Sequence, residues 1–246
     1  MKGRRILVTG ASGAIGRAVA LALGRADAFV VGAYRSSEKA AAALRLSLAR
    51  RGRVVRADLS TEAGRAVVVE ACEDGLDGAV LCAGIARHGP FVGVEDRSER
   101  ADLSAQIHTN LESPLQLVQA LAAADVLRGG ASLVFVSSNL ARLGVAGTVG
   151  YAASKAGLEG AVRALAAELG PLGVRVNAVA PGLLLSPMGK RRSSEALALV
   201  ARTTPLRRLG EPEDVVGPIL FLLGADAAFV TGQVLDVDGG AAVAGV

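Results

Sequence analysis

The feature that most constrains this chain is the alternation of two apolar rhythms. Short β-branched or continuously apolar runs lie at 6–9, 29–33, 54–57, 78–82, 132–137, 175–179 and 233–237. Longer stretches of helical period, rich in Ala, Leu and Arg, fill the gaps at 14–23, 37–50, 62–72, 103–127, 151–169, 194–202 and 212–224. Gly, Asp, Ser or Pro marks each change of rhythm. Strands that are apolar on both alternating faces need helices over both faces, the condition of a buried parallel sheet. Repeated strand-helix-strand units with right-handed crossovers predict an α/β, doubly wound parallel sheet of about seven strands. No composition break, proline-rich linker or repeat divides the sequence, so one domain over 1–246 is expected, with ligands at the carboxyl ends of its strands.

Composition narrows the function classes. With 51% hydrophobic residues and a net charge of +4, a disordered tail protein is excluded. Only 3% of residues are aromatic and none is Trp, which argues against a stacking surface for nucleic acid. Of 27 basic residues 23 are arginines, scattered along the chain, so a mildly basic solvated surface is expected rather than a polyanion site. Cys72 and Cys82 are too few for a disulfide framework and read as reduced, buried thiols suited to a cytoplasmic protein. The opening residues lack a signal-peptide core, and the run 215–225 is shorter than the roughly 20 apolar residues that span a bilayer. No His, Cys and carboxylate cluster has ligand spacing, so no metal is expected.

The first strand runs into Thr9-Gly10-Ala11-Ser12-Gly13-Ala14-Ile15-Gly16 and directly into a helix. Glycines at 10, 13 and 16 permit a tight turn and close backbone approach, and the helix start offers free N–H groups to a pyrophosphate. The residue that reads the adenine ribose belongs about 20 positions further on, with an acid for NAD and an arginine for NADP. Arg35 stands there, followed by Ser36, and no carboxylate occupies the spot. NADPH/NADP+ is therefore expected, its 2′-phosphate held by charge-assisted hydrogen bonds. The bland alternative is an exposed arginine at a helix start.

Tyr151 and Lys155 are one helical turn apart on one face. A neighbouring ammonium favours the phenolate, which predicts a Tyr151 acidity brought nearer to working pH. Ser138, at the end of the fifth strand, is placed to hydrogen-bond a substrate oxygen. With two Tyr and four Lys in the chain, a chance Tyr-x-x-x-Lys is expected only about 0.03 times.

Together Thr9-Gly10 to Gly16, Ser138, Tyr151-Ala-Ala-Ser-Lys155, Val176-Asn-Ala-Val-Ala-Pro181-Gly182, Thr231-Gly232-Gln233 and Asp238-Gly239-Gly240 resemble the short-chain dehydrogenase/reductase family. The resemblance covers essentially the whole chain. It implies a Rossmann fold and a catalytic set of Ser138, Tyr151, Lys155 and Asn110, the last supporting a water in a proton relay. It implies a cofactor site of Gly10, Ser12, Gly13, Ala14, Ile15, Gly16, Arg35, Ser36, Asp58, Leu59, Cys82, Ala83, Gly84, Asn110, Tyr151, Lys155, Pro181, Gly182, Leu184 and Ser186. Asp58 would contact adenine and Ser186 the nicotinamide amide or phosphate. It also implies a homotetramer built on the helices at 103–127 and 151–169 and the C-terminal segment. There are two departures from the family pattern: Gly13 and Ala14 are exchanged, and Cys82 replaces the asparagine of Asn-Ala-Gly. Cys82 reads as an inert thiol rather than a redox sensor.

Within the family, the stretches 84–110, 181–188 and 205–214 are most similar to 3-oxoacyl-(acyl carrier protein) reductases. This implies reduction of a 3-oxoacyl thioester, carried by acyl carrier protein or CoA, in fatty acid or polyketide-type biosynthesis. Alternatives are an oxidoreductase acting on a free carbonyl or alcohol, and a catalytically silent cofactor-binding partner subunit. Docking of an acidic carrier protein is expected near Arg128, with Arg142, Arg191, Arg192 and Arg207 as further candidates; Leu172 stands where those reductases have a second arginine. Leu140, Leu143, Val145, Leu183, Leu184 and Met188 are equally suited to an acyl pocket and to plain loop packing. His88 and His108 are read as surface or supporting residues rather than catalysts. No nucleic-acid or membrane partner is expected.

Overall fold

Ile6, Leu7 and Val8 are consecutive and fully buried. Successive side chains of a strand point to opposite faces, so this strand is covered on both. In the computed structural model, which describes residues 1–93, 102–186 and 193–245, that strand is β1 (Arg5–Thr9) near the middle of one sheet. The others are β2 (Phe29–Tyr34), β3 (Gly52–Arg56), β4 (Leu76–Leu81), β5 (Leu127–Val136), β6 (Arg175–Pro181) and β7 (Val234–Val237). All pair in parallel in the order β3-β2-β1-β4-β5-β6-β7, so the winding reverses between β1 and β4.

The helices are α1 (Ala14–Arg25), α2 (Glu38–Leu48), α3 (Glu62–Glu70), α4 (Leu103–Ile107), α5 (Ser113–Ala123), α6 (Val149–Leu169), α7 (Ser194–Thr203), α8 (Val216–Leu223) and α9 (Ala241–Ala244). Leu117 and Leu121 of α5 and Leu158 and Val162 of α6 pack with Leu7, Val31 and Phe135 on one face. Leu23 of α1, Leu44 of α2 and Ile219 and Leu222 of α8 pack with Ile6, Val8 and Val30 on the other. Each fully buried Leu, Ile or Phe contributes about 1.5–3 kcal/mol, so both layers fix the strand ends that carry the site. Among the described residues no helix is long and apolar enough to cross a membrane.

The continuous helix expected over 103–127 is interrupted. After α4 the chain makes a π turn over His108–Glu112, and α5 ends at Ala123. Pro114 offers no N–H to the carbonyl of Asn110 four residues earlier, which loosens the α-helical ladder there. Asp125 then adopts a left-handed φ of 53° and Leu127 already belongs to β5. The helix expected over 37–50 ends at Leu48, where Ala49 has a φ of 49° and starts a 3-10 turn. The stretch 212–224 divides into a 3-10 turn, Pro212–Val215, followed by α8.

Candidate active site

A cleft of about 2010 Å3 runs along the carboxyl ends of the strands, across the reversal between β1 and β4. Every cofactor-site residue inferred from sequence lines it except Asn110, which lies just behind. The residues present fit a dinucleotide pyrophosphate. Gly10 has a φ of 63°, and a Cβ there would meet Ala83 Cα at 3.0 Å. A Cβ on Gly16 would lie 2.3 Å from the Gly10 carbonyl oxygen. Gly13 is the N-cap of α1 and supplies no side-chain cap, and of the first-turn N–H groups that of Gly16 donates to the Cys82 sulfur. At position 13 a Cβ would lie 3.2 Å from the Gly10 oxygen, a tight contact that glycine avoids. Where the family has asparagine, the backbone at Cys82 and Ala83 is held by β1: both N–H groups donate to Thr9 Oγ1, at 3.0 and 3.1 Å.

Arg35 and Ser36 are exposed at the end of β2, and Arg56 Nε donates to the Arg35 carbonyl at 3.2 Å. Asp58 accepts from Ser60 Oγ at 2.7 Å and Ser60 N at 3.1 Å. The Ser60 hydroxyl, more than the nearby Arg35 charge, holds the Asp58 carboxyl below the usual range. His108 Nδ1 pairs with Glu112 at 2.8 Å and Nε2 lies 3.2 Å from the Ser60 carbonyl, contacts that raise its pKa.

At the other end of the cleft stand Ser138, Tyr151 and Lys155. Ser138 is almost fully buried, and its Oγ accepts from Leu140 N at 3.2 Å. Lys155 Nζ donates to the Val136 carbonyl at 2.7 Å and sits 5.9 Å from the Tyr151 ring centre. Burial brings the ammonium down to about 8. The expected lowering of Tyr151 is not what the structure gives: burial raises its pKa above the ordinary value, the Ser138 hydroxyl opposes this, and the ammonium is aimed at a carbonyl rather than at the phenol. Burial also pushes Cys82 up to about 11 and Cys72 up to about 12, so both are protonated thiols at neutral pH.

Asn110, within the π turn, uses its whole side chain on protein. Oδ1 accepts from Ile85 N at 2.8 Å, and Nδ2 donates to Ile85 O at 2.9 Å and Ser154 Oγ at 3.1 Å. It ties the loop after β4 to the helix that carries Tyr151 and Lys155. Single π turns of this kind favour functional positions.

Three features escaped sequence reasoning. His88, read as a surface or supporting residue, is indeed exposed, and it also lines the cleft with its ring centre 6.2 Å from that of Tyr151. Gln106, fully buried, accepts from Arg87 N at 2.9 Å and fixes the same loop. Glu159, buried two turns after Tyr151, accepts from Ser137 Oγ at 2.9 Å beside Ser138. A signal existed for His88 alone: it follows Gly84 by four residues, on a loop leaving the carboxyl end of a strand.

The arginines proposed for carrier docking are differently placed. Arg128 lies at the start of β5, the end away from Ser138, and pairs with Asp77 at 3.1 Å. Arg142 is paired with Asp236 and sits 3.7 Å from Glu159. Arg207 donates to the Arg202 carbonyl. Arg191, Arg192 and Met188 lie outside the described residues. Of the apolar set, Leu140, Leu143, Val145, Leu183 and Leu184 all line the cleft.

This combination of sheet order, glycine cradle and Ser, Tyr and Lys on one wall defines an oxidoreductase class, and the chain belongs to the short-chain dehydrogenase/reductase family, whose members bind a nicotinamide cofactor. The family model described as Enoyl-(Acyl carrier protein) reductase matches residues 10–242. The chain is 35% identical over 246 residues to a 3-oxoacyl-(acyl-carrier-protein) reductase of Pseudomonas aeruginosa, covering 98% of each. It is 32% identical to Nodulation protein G of a Rhizobium species, covering 99% of this chain and 98% of that one. Among solved structures it is similar to a short-chain dehydrogenase/reductase, glucose/ribitol dehydrogenase, from Brucella melitensis (TM-score 0.89, 30% identity, covering 98% and 97%). It also resembles the angucycline C-6 ketoreductase LanV with bound NADP (TM-score 0.88, 28% identity, covering 98% and 96%).

Proposed function

We propose that the chain is an NADPH-dependent reductase that converts a 3-oxoacyl thioester to its 3-hydroxyacyl form, in fatty acid or polyketide-type biosynthesis in the cytoplasm. The observation that carries this reading is the meeting of Ser138, Tyr151 and Lys155 on one wall of a cleft whose far end holds the glycine cradle and Arg35. Bound NADPH supplies a hydride for the carbonyl carbon. Ser138 donates to the substrate oxygen as negative charge builds there, and Tyr151 gives it a proton. One ketone and one proton are consumed per hydride, and an alcohol leaves. Tyr151 is re-protonated from the Lys155 side, where the Asn110 carbonyl, without its α-helical donor, is suited to hold a water. Lys155 also binds the nicotinamide ribose. Arg35 and Ser36 hold the 2′-phosphate.

The relatives favour the 3-oxoacyl substrate, and the apolar wall of Leu140, Leu143 and Leu183 suits its acyl chain. A second reading, a free or CoA-linked carbonyl instead of a protein-bound one, is favoured by the internal pairing of Arg128 and Arg142. Large exposed apolar side chains at Phe229, Leu235 and Val243 near the C-terminus support assembly into a homotetramer. The test follows NADPH oxidation with acetoacetyl groups on acyl carrier protein, on CoA and on a free ester in parallel. Turnover of the thioesters is expected; turnover of the free ester alone would overturn the assignment of a thioester substrate.

A further inference from the structure

His88 stands at the mouth of the cleft on a loop held at three points. Ile85 is bonded through both backbone groups to Asn110, at 2.8 and 2.9 Å. Arg87 N donates to the buried Gln106 at 2.9 Å, and the Arg87 guanidinium points away toward Asp102 at 3.7 Å. Gly89 N donates to the Gly147 carbonyl at 3.0 Å. His88 therefore projects from a fixed backbone, and its ring lies 6.2 Å from the Tyr151 ring at a tilt of 33°. Two hydrogen-bonding side chains, Ser138 and Tyr151, already serve the oxygen that is reduced. The His88 imidazole lines the same cleft beside Tyr151, within reach of a group next to the one Tyr151 serves.

We propose that His88 is a specificity-determining residue: its ring N–H donates to a second carbonyl oxygen one methylene away from the reduced one, selecting 1,3-dicarbonyl substrates over isolated ketones. This rests on the 3-oxoacyl reading and deepens it. In a 3-oxoacyl thioester the second oxygen is the thioester carbonyl, which keeps its bonding through the reaction. Its hydrogen bond is equally present in ground and transition states, so losing it raises KM more than it lowers kcat.

The test compares acetoacetyl-CoA with S-(3-oxobutyl)-CoA, in which a methylene replaces the thioester carbonyl and nothing else changes. Wild type, His88→Leu and His88→Gln are assayed with NADPH, and NADPH affinity is measured by fluorescence to establish that each variant has an assembled cleft. In His88→Leu the ratio of kcat/KM values for the two compounds should fall about tenfold, through KM, as expected for one lost hydrogen bond. His88→Gln, which retains an N–H donor, should recover most of that ratio. A His88→Leu ratio within twofold of wild type, or a Gln variant no better than Leu, overturns the role of His88. A wild type that turns over neither compound overturns the 3-oxoacyl reading itself, and the assignment of His88 with it.

Discussion

The two ends of the sheet use the same side chain for opposite purposes. At the amino ends, arginines close the structure on itself. Arg4 donates to the Asp77 carbonyl at 2.7 Å, Arg5 pairs with Asp74, Arg53 reaches the same carboxylate at 3.0 Å, and Arg128 pairs with Asp77 at 3.1 Å. Arg175 donates to the carbonyls of Leu222 and Gly224, at 2.8 and 3.1 Å. At the carboxyl ends some charges are also tied to protein, Arg142 to Asp236 and Arg208 to Asp214, but others stand open toward the cleft. Arg35 makes no ion pair among the described residues, and α1 begins without a side-chain cap. Lys155 is buried with a single carbonyl partner. A charge left without a protein partner at the carboxyl ends, as at Arg35, is therefore the one that reads as ligand-binding, since ligands gather where helix N-termini converge. Arg128, expected from its position in the sequence to serve partner docking, stands at the amino end and pairs there with Asp77.

The comparison is broken most severely at the glycine cradle. Gly16→Val puts a side chain on the Gly10 oxygen, and overpacking of about 1–3 kcal/mol corresponds to a loss of dinucleotide affinity of up to about 100-fold. Titration of NADPH by fluorescence measures it; affinity within twofold of wild type would remove the cradle from the binding site. Arg35→Asp removes a charge-assisted contact and should shift the NADPH-to-NADH preference by about tenfold or more. Steady-state kinetics with both cofactors checks this, and an unaltered preference would assign the 2′-phosphate elsewhere.

A smaller effect concerns stability. Burial lowers Lys155 from 10.5 to about 8, so the unfolded chain holds this proton more tightly than the folded one. At pH 7 the buried ammonium costs stability, and the cost fades as pH rises through about 8 toward the ordinary lysine value. Lys155→Met should therefore raise the melting temperature of the cofactor-free protein by about 3 °C at pH 7, with a smaller gain at higher pH. A lower melting temperature would show that the Val136 contact outweighs the desolvation.

Much of the fold and part of the site were legible in sequence because the signals lie within single elements. Ile6, Leu7 and Val8 declare a doubly covered strand, and Gly10, Gly13 and Gly16 declare a sharp strand-to-helix passage. Tyr151 and Lys155 declare a shared helix face. The illegible parts depend on contacts between distant elements. The Ile85–Asn110 and Arg87–Gln106 bonds join a loop to a helix about 20 residues away, and no local pattern marks them. The π turn depends on Pro114 and on packing against α6, which period-based reading renders as one long helix. The Tyr151 acidity depends on burial, which the Tyr-x-x-x-Lys spacing does not record.

The central claim is that the carboxyl-end cleft binds NADPH and that Tyr151 protonates the substrate oxygen. Single-turnover reduction of acetoacetyl-CoA by preformed NADPH complexes of wild type and Tyr151→Phe tests it most directly, because cofactor affinity is measured on the same samples. The account predicts NADPH binding within about threefold of wild type and a reduction rate lower by about 10²- to 10⁴-fold, the usual contribution of a general acid. A Tyr151→Phe protein that binds NADPH and reduces the substrate at the wild-type rate would contradict it.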